Sequence, residues 1–423
     1  MRKIIGILML GILMVTLTSC YDADEIDDML HVVAIGIDKG ISDKWRLTLE
    51  FSKMSSGGSG SSQSSGGGES QGEYTYVTID APSFFTGIDM LNTALPRKLT
   101  FIHAQIIVLS EELAKSGLIG EYIAPLIRFR EIRRSSHVFV VKGNASEFLK
   151  ENKPFIGNMV SKNFQILINE SDDTGFFPHV TLEHFYSDLE SSYSQPIATL
   201  AAVNEFDTFK KEGEPWGTEF ITGGNYTAGE LPRAGENKIE LFGTAVFDGD
   251  KMVGELNGDE TRYMLMARGE FERGFFTMRD PQKPALIIPL DVKGPTKPEV
   301  RVTFDGLKPI IYLKVHLNAD LLAVQSRINY ENRELKVLLE MEFQQIVKSG
   351  IEAVIHKCQG INADVFMFGD NAKINFLTID ELENYNWNTH FKDAEVNVEV
   401  EFAIRRTGTQ IDSNSINNSG GTE

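Results

Sequence analysis

The sequence predicts a multidomain α+β protein, and three observations carry that prediction. Hydrophobic residues make up 42 % of the chain and charged residues 24 %, which is a globular composition and not a disordered one. Its 423 residues are enough for two or three domains, each with its own core. Stretches with the period of a strand are interleaved with stretches of helical period, beginning in the order β-β-β-α-β-α-α-β.

Residues 31–38 (HVVAIGID) form a short β-branched run that ends at the turn signal Asp38-Lys39-Gly40. Residues 45–52 and 74–79 alternate apolar and polar, as half-buried strands do. Between them, residues 55–72 are almost entirely Gly and Ser and read as a surface loop joining two adjacent strands. A helix is expected over 83–95, stopped by Pro96, then a single strand over 99–109. Ser110 is an N-cap with Glu111 and Glu112 in the first turn behind it. A helix over 119–130 and a strand over 137–141 complete a first domain, residues 20–150. Residues 151–236 read as a less regular middle domain and connector, with helices over 158–168 and 181–189 and a Gly-, Pro- and Glu-rich stretch from 206 to 235. A last domain spans 237–408. It opens with a hairpin around Asp248-Gly249-Asp250, followed by a capping-box variant at Asn257-Gly258-Asp259-Glu260. Strands over 285–292, 299–304 and 310–317, a helix over 331–359 and a strand over 396–405 complete it; the tail, 409–423, is polar and expected to be disordered.

The 41 basic and 60 acidic residues give a formal charge of −19, which argues against a general nucleic-acid binder. Two cysteines make neither a disulfide scaffold nor a cysteine-built zinc site. Arg2 and Lys3 precede fourteen uncharged residues, 4–17, a run too short to span a bilayer and typical of a secretory signal over 1–19. It ends in Leu17-Thr18-Ser19-Cys20, which resembles the lipobox of bacterial lipoproteins. On that resemblance Cys20 carries the lipid, and the mature chain keeps 39 basic residues and a charge of −21. Such a body is repelled by anionic lipid, so the acylated cysteine must do the anchoring. Cys358 then falls on the apolar stripe Leu339, Phe343, Val347, Ile351, Val354 of the long helix, as a small core residue.

Little in the chain suggests a reaction. Gly36-Ile37-Asp38-Lys39-Gly40 has too few glycines for a phosphate loop and reads as a turn. Asp248-Gly249-Asp250 matches the start of a calcium loop, but Val253 stands where the sixth-position glycine is required. His103 lies inside the expected strand over 99–109 and reads as structural; with Glu111 and Glu112 it is the whole case for a hydrolase. Arg128, Arg130, Arg133 and Arg134 form the densest basic cluster. They either grip lipid phosphates or an acidic partner, or form a solvated helix end paired with Glu131 and Glu121.

Five segments in order resemble the Ger(x)C family, the C subunits of nutrient germinant receptors in spore-forming bacteria. They are Cys20-Tyr21-Asp22 through Val33-Ala34-Ile35-Gly36-Ile37-Asp38; Arg97-Lys98-Leu99-Thr100-Phe101-Ile102-His103 with Leu109-Ser110-Glu111-Glu112-Leu113-Ala114; Arg128 to Arg134 with Val141-Lys142-Gly143; Gly243-Thr244-Ala245-Val246-Phe247 with Asp250 to Gly254 and Glu260-Thr261; and Ala363 to Gly369, Trp387 and Ile404 to Gly408. Tyr21, Ile102 and Met367 depart from the usual Trp, Gly and Gly, the Gly/Ser loop looks like an insertion, and Asn375 to Asp380 replaces a segment usually richer in Pro and basic residues. The resemblance implies three α+β domains, each a mostly antiparallel or mixed sheet with packed helices. It further implies a non-enzymatic lipoprotein without a cofactor, at the outer face of the spore inner membrane, assembled with the receptor's membrane A and B subunits. The rival reading is a solute-binding lipoprotein delivering a small ligand to a transporter, which the strand-rich runs near 74 and 285 fit poorly.

Overall fold

A computed structural model describes residue 6 and residues 29–52, 74–153, 160–210, 212–213 and 222–406. Cys20, the Gly/Ser loop over 55–72 and the tail over 409–423 lie outside them. The described strands form two sheets, mixed and flanked by helices, as an α+β chain should.

The first sheet holds β1 (Met29–Lys39), β2 (Trp45–Ser52), β3 (Tyr74–Ala81), β4 (Lys98–Thr100), β5 (Ile106–Ser110), β6 (His137–Lys142), β7 (Ile197–Val203), β8 (Ile239–Asp248) and β9 (Lys251–Leu256). Its order is β3-β2-β1-β5-β6-β7-β8-β9, with β4 also beside β1. β4 and β5 run parallel to β1, β6 to β5 and β7 to β6. The sheet is continuous across residues 150 and 236, since β6 pairs with β7 and β7 with β8. What joins it there is β7, an apolar IATLAAV run flanked by polar residues, which the sequence reading passes over.

One face of this sheet is covered by α1 (Phe84–Ala94), α3 (Ile119–Arg128) and α6 (Leu182–Leu189), burying Phe84, Leu91, Ile123, Leu126 and Phe185. The other is covered by α4 (Ala145–Glu151) and α5 (Val160–Thr174), burying Phe148, Leu149, Phe164 and Ile168. The short α2 (Glu111–Ala114) follows β5 with Ser110 as its cap. Asp38 is no phosphate-loop residue: its carboxylate accepts the N–H groups of Ala145 (2.7 Å) and Ser146 (3.0 Å), capping α4 from β1 because Asn144 makes no cap bond of its own.

The expected strand over 99–109 is two strands. β4 pairs with Met29, Leu30 and His31, and β5 with Ala34 to Ile37. Residues 101–105 therefore face only Val32 and Val33 of β1, and the surplus loops out. Phe101 and Ala104 stay buried while Ile102 and His103 turn to solvent, so His103 sits in a turn and not in a strand.

The second sheet contains β10 (Arg273–Arg279), β11 (Ile287–Lys293), β12 (Glu299–Asp305), β13 (Lys308–Leu321) and β14 (Glu395–Arg406), in the order β10-β11-β13-β12 with β14 parallel to β13. α7 (Gly258–Arg268) opens with the capping box of Asn257 and Glu260. The 28-residue α8 (Arg333–Gly360) lays Leu339, Phe343, Val347, Ile351, Val354 and Cys358 on this sheet. Each such side chain is worth about 1.5–3 kcal/mol on full burial. Burial pushes the Cys358 thiol up to about 12, so it behaves as a core residue. Three short helices missing from the sequence reading follow: α9 (Phe368–Ala372), α10 (Ile379–Tyr385) and α11 (Trp387–His390).

Arg262 of α7 fastens the two halves. Its guanidinium lies 3.5 Å from the Phe176 ring centroid and 4.5 Å from that of Phe276. It donates to the carbonyls of Thr174 (2.8 Å) at the end of α5 and Phe275 (3.0 Å) in β10.

Candidate interaction surface

Arg128 ends α3, and Arg130, Arg133 and Arg134 occupy the turn that leads into β6; all four are exposed. The turn is fixed from beneath. Ile132 is buried, Ser136 Oγ donates to Ala104 O (2.7 Å), and the Glu131 carboxylate accepts the N–H of Phe101 (2.9 Å). His137 N donates to Gln105 O (2.7 Å), which sets the arginine turn beside the 101–105 loop where β5 and β6 begin.

The pairing that would reduce the cluster to a solvated helix end is not made. Glu121 binds Lys44 (2.5 Å), and Glu131 is taken by the Phe101 amide. Arg134 meets Glu183 at 3.6 Å, while Arg128, Arg130 and Arg133 form no ion pair among the described residues. Three exposed guanidinium groups on a fixed turn are thus available to carboxylates or phosphates, which they bind in a planar two-point fork.

The hydrolase candidates do not come together. His103 precedes β5 and Glu111 follows it, so five residues of strand, about 17 Å, separate them. His103 lies edge-on to His31 at 4.8 Å, Glu111 binds Lys115 (2.6 Å) and Glu112 binds Lys39 (3.0 Å). Asp248-Gly249-Asp250 is the hairpin turn of β8 and β9, with Gly249 at φ 58° and Asp248 accepting from Gln195 Nε2 (2.7 Å). A cleft of about 420 Å³ between α5, α6 and α7 is lined by His179, His184, Asp188, Arg268 and Glu270. Its arginine is spent: Arg268 donates twice to Glu270 (2.9 and 3.0 Å) and once to Val365 O (2.8 Å). Asp188 is bonded to Ser194 Oγ (2.5 Å).

The residues that carried the resemblance are instead nodes of the fold. Asp38 caps α4, and Gly243 has φ 94° with no room for a Cβ, which would meet Leu256 O at 2.4 Å. Asp364, 1 % exposed, accepts from the N–H groups of Phe366 (3.0 Å), Phe368 (3.4 Å) and Gly369 (2.9 Å) and from Trp387 Nε1 (2.7 Å). Met367 has φ 61°, the left-handed region that explains why glycine is usual there.

The chain is thus a two-sheet α+β scaffold with an exposed basic cluster on the turn before β6. The family model described as "Spore germination protein N-terminal domain" matches residues 22–203, and "Spore germination B3/ GerAC like, C-terminal" matches residues 242–408. The chain belongs to this family of spore germination proteins. It is similar to the spore germination protein YndF of Bacillus subtilis (strain 168), 23 % identical and covering 96 % of this chain and 98 % of that one. It is likewise similar to the spore germination protein KC of the same organism, 22 % identical with 96 % of each chain covered. The crystal structure of the GerBC protein has the same fold, with a TM-score of 0.51 at 16 % identity over 88 % of this chain and 96 % of that one.

Proposed function

We propose that the chain is a lipid-anchored, non-enzymatic subunit of a spore germinant receptor, held through Cys20 at the outer face of the spore inner membrane. It acts there by assembling with the receptor's membrane A and B subunits. The observation that supports this most is the pair of family matches, which run in order through the residues after Cys20. No helix among the described residues is long and apolar enough to cross a membrane, which fits a chain whose hold on the bilayer is the lipid. β1 begins at Met29, nine residues past Cys20 in the sequence.

Spores lacking the gene should fail to respond to some nutrients yet germinate normally with a trigger that bypasses the receptors. A normal response to every nutrient would sink the receptor role and favour the solute-binding reading. Cys20→Ala should move the protein from the membrane to the soluble fraction and weaken germination; undiminished membrane retention would dismiss the anchor.

The arginine turn is the proposed contact surface toward a partner or headgroup. Arg130→Glu with Arg133→Glu alters two exposed side chains, so stability should change by no more than about 0.5 kcal/mol each. Recovery of the chain with the membrane subunits should fall several-fold. Unchanged recovery would return the cluster to plain surface.

A further inference from the structure

We propose that the end of the second sheet formed by the β12–β13 turn and residues 373–379 is a docking site for a protein segment with apolar side chains flanked by lysine or arginine. Four large aliphatic side chains stand out there: Leu307 is 69 % exposed, Ile374 83 %, Leu377 92 % and Ile379 73 %.

They are held in place. Phe376 turns inward and joins Phe304 and Tyr385 in a three-ring cluster with centroids 5.3–5.6 Å apart. Tyr385 Oη donates to Leu307 O (2.9 Å), which ties the β12–β13 turn to the same cluster. Asn375 Nδ2 donates to Val302 O (3.2 Å) and Leu377 N to the Glu381 carboxylate (3.0 Å). The aliphatic groups are thus displayed on a fixed platform. Large aliphatic side chains exposed together on backbone segments tied to one ring cluster mark an interaction site.

Charge selects the occupant. Asp305, Asp380 and Glu383 lie exposed around the patch and form no ion pair among the described residues. The nearby cations are already engaged, Lys308 with Glu395 (3.2 Å) and Lys373 with Asp370 (2.5 Å). A second copy of this face would bring the same carboxylates, and an anionic bilayer would be repelled by them. An apolar segment with basic flanks satisfies both the patch and its rim.

The test places a photo-crosslinking benzoylphenylalanine at position 377 of the full chain in sporulating cells, with position 41, 82 % exposed on the β1–β2 turn, as control. The expected product is a protein adduct absent from the control, whose attached peptide carries apolar residues within a few positions of Lys or Arg. Asp380→Lys with Glu383→Lys should cut its yield at least fivefold. An adduct with phospholipid, with a second copy or with a peptide lacking basic residues would overturn the proposal, as would no adduct above control. Leu377→Asp should leave thermal unfolding unchanged, because the side chain packs on nothing. Flotation with phosphatidylglycerol vesicles that is lost in Leu377→Asp would also overturn it.

Discussion

Glu50→Gln should stabilise the protein by about 1–3 kcal/mol at pH 7. Glu50 is 2 % exposed in β2, on the face covered by α4 and α5. Burial pushes its carboxyl from 4.5 up to about 8, and its Oε2 has no hydrogen-bond partner. The folded chain therefore prefers the protonated acid, whereas the unfolded chain ionises near pH 4.5. The stability this group contributes is fully present below that value and is lost as pH rises through about 8. At pH 7 the mismatch corresponds to about 3 kcal/mol, from about 1.4 kcal/mol per unit. Glutamine keeps the shape without the ionisation, although its amide leaves an N–H to satisfy, which sets the lower bound. Urea unfolding at pH 5, 7 and 8.5 checks this. The original chain should weaken across the series and the variant should not show that component. Parallel pH profiles would mean the carboxyl is not linked to folding.

Glu50 also marks where local pattern stops being legible. The alternation in residues 45–52 places the strand correctly, and it reads Arg46, Thr48 and Glu50 as the solvent side. Thr48 and Glu50 are buried because α4, a hundred residues further on, lies against this part of β1 and β2. The same distance problem hides β7, whose ladder partners β6 and β8 lie far from it in sequence. It also splits the strand over 99–109, since only the register against β1 shows a surplus there. Caps and stripes depend on near neighbours, so Ser110, Asn257 and the apolar face of α8 were readable directly. The arginine cluster was visible as composition, but its freedom from Glu121 and Glu131 was not. Leu377 and its neighbours show no period, so as sequence they stand out only as a departure from the family pattern.

Asp364→Ala should destabilise the second sheet and its helices by about 4 kcal/mol or more. Four donors converge on this carboxylate: Oδ1 takes the N–H groups of Phe366 and Phe368, and Oδ2 takes those of Gly369 and the Trp387 indole. Alanine leaves all four without an acceptor in a site closed to water, at about 1–3 kcal/mol each before relaxation. Burial raises the Asp364 pKa, and these same four bonds oppose that rise, so the donors are what make a buried carboxylate tolerable. Asp364→Asn retains one acceptor oxygen but aims an amide N–H₂ at the other pair of donors, so it should cost about half as much. Trp387→Phe removes a donor and strands none, so it should cost least. The consequences should reach the first sheet. The Asp364 N–H is held by Gln195 Oε1 (2.5 Å), whose Nε2 binds Asp248 and Asn362 O, and a Cβ on Gly369 would strike Tyr193 O at 2.0 Å. Denaturant unfolding of the three variants should rank them Ala, Asn, Phe in decreasing damage. An Asp364→Asn chain as stable as the original would show that the negative charge, and with it this reading of the Ala363–Gly369 signature, is dispensable.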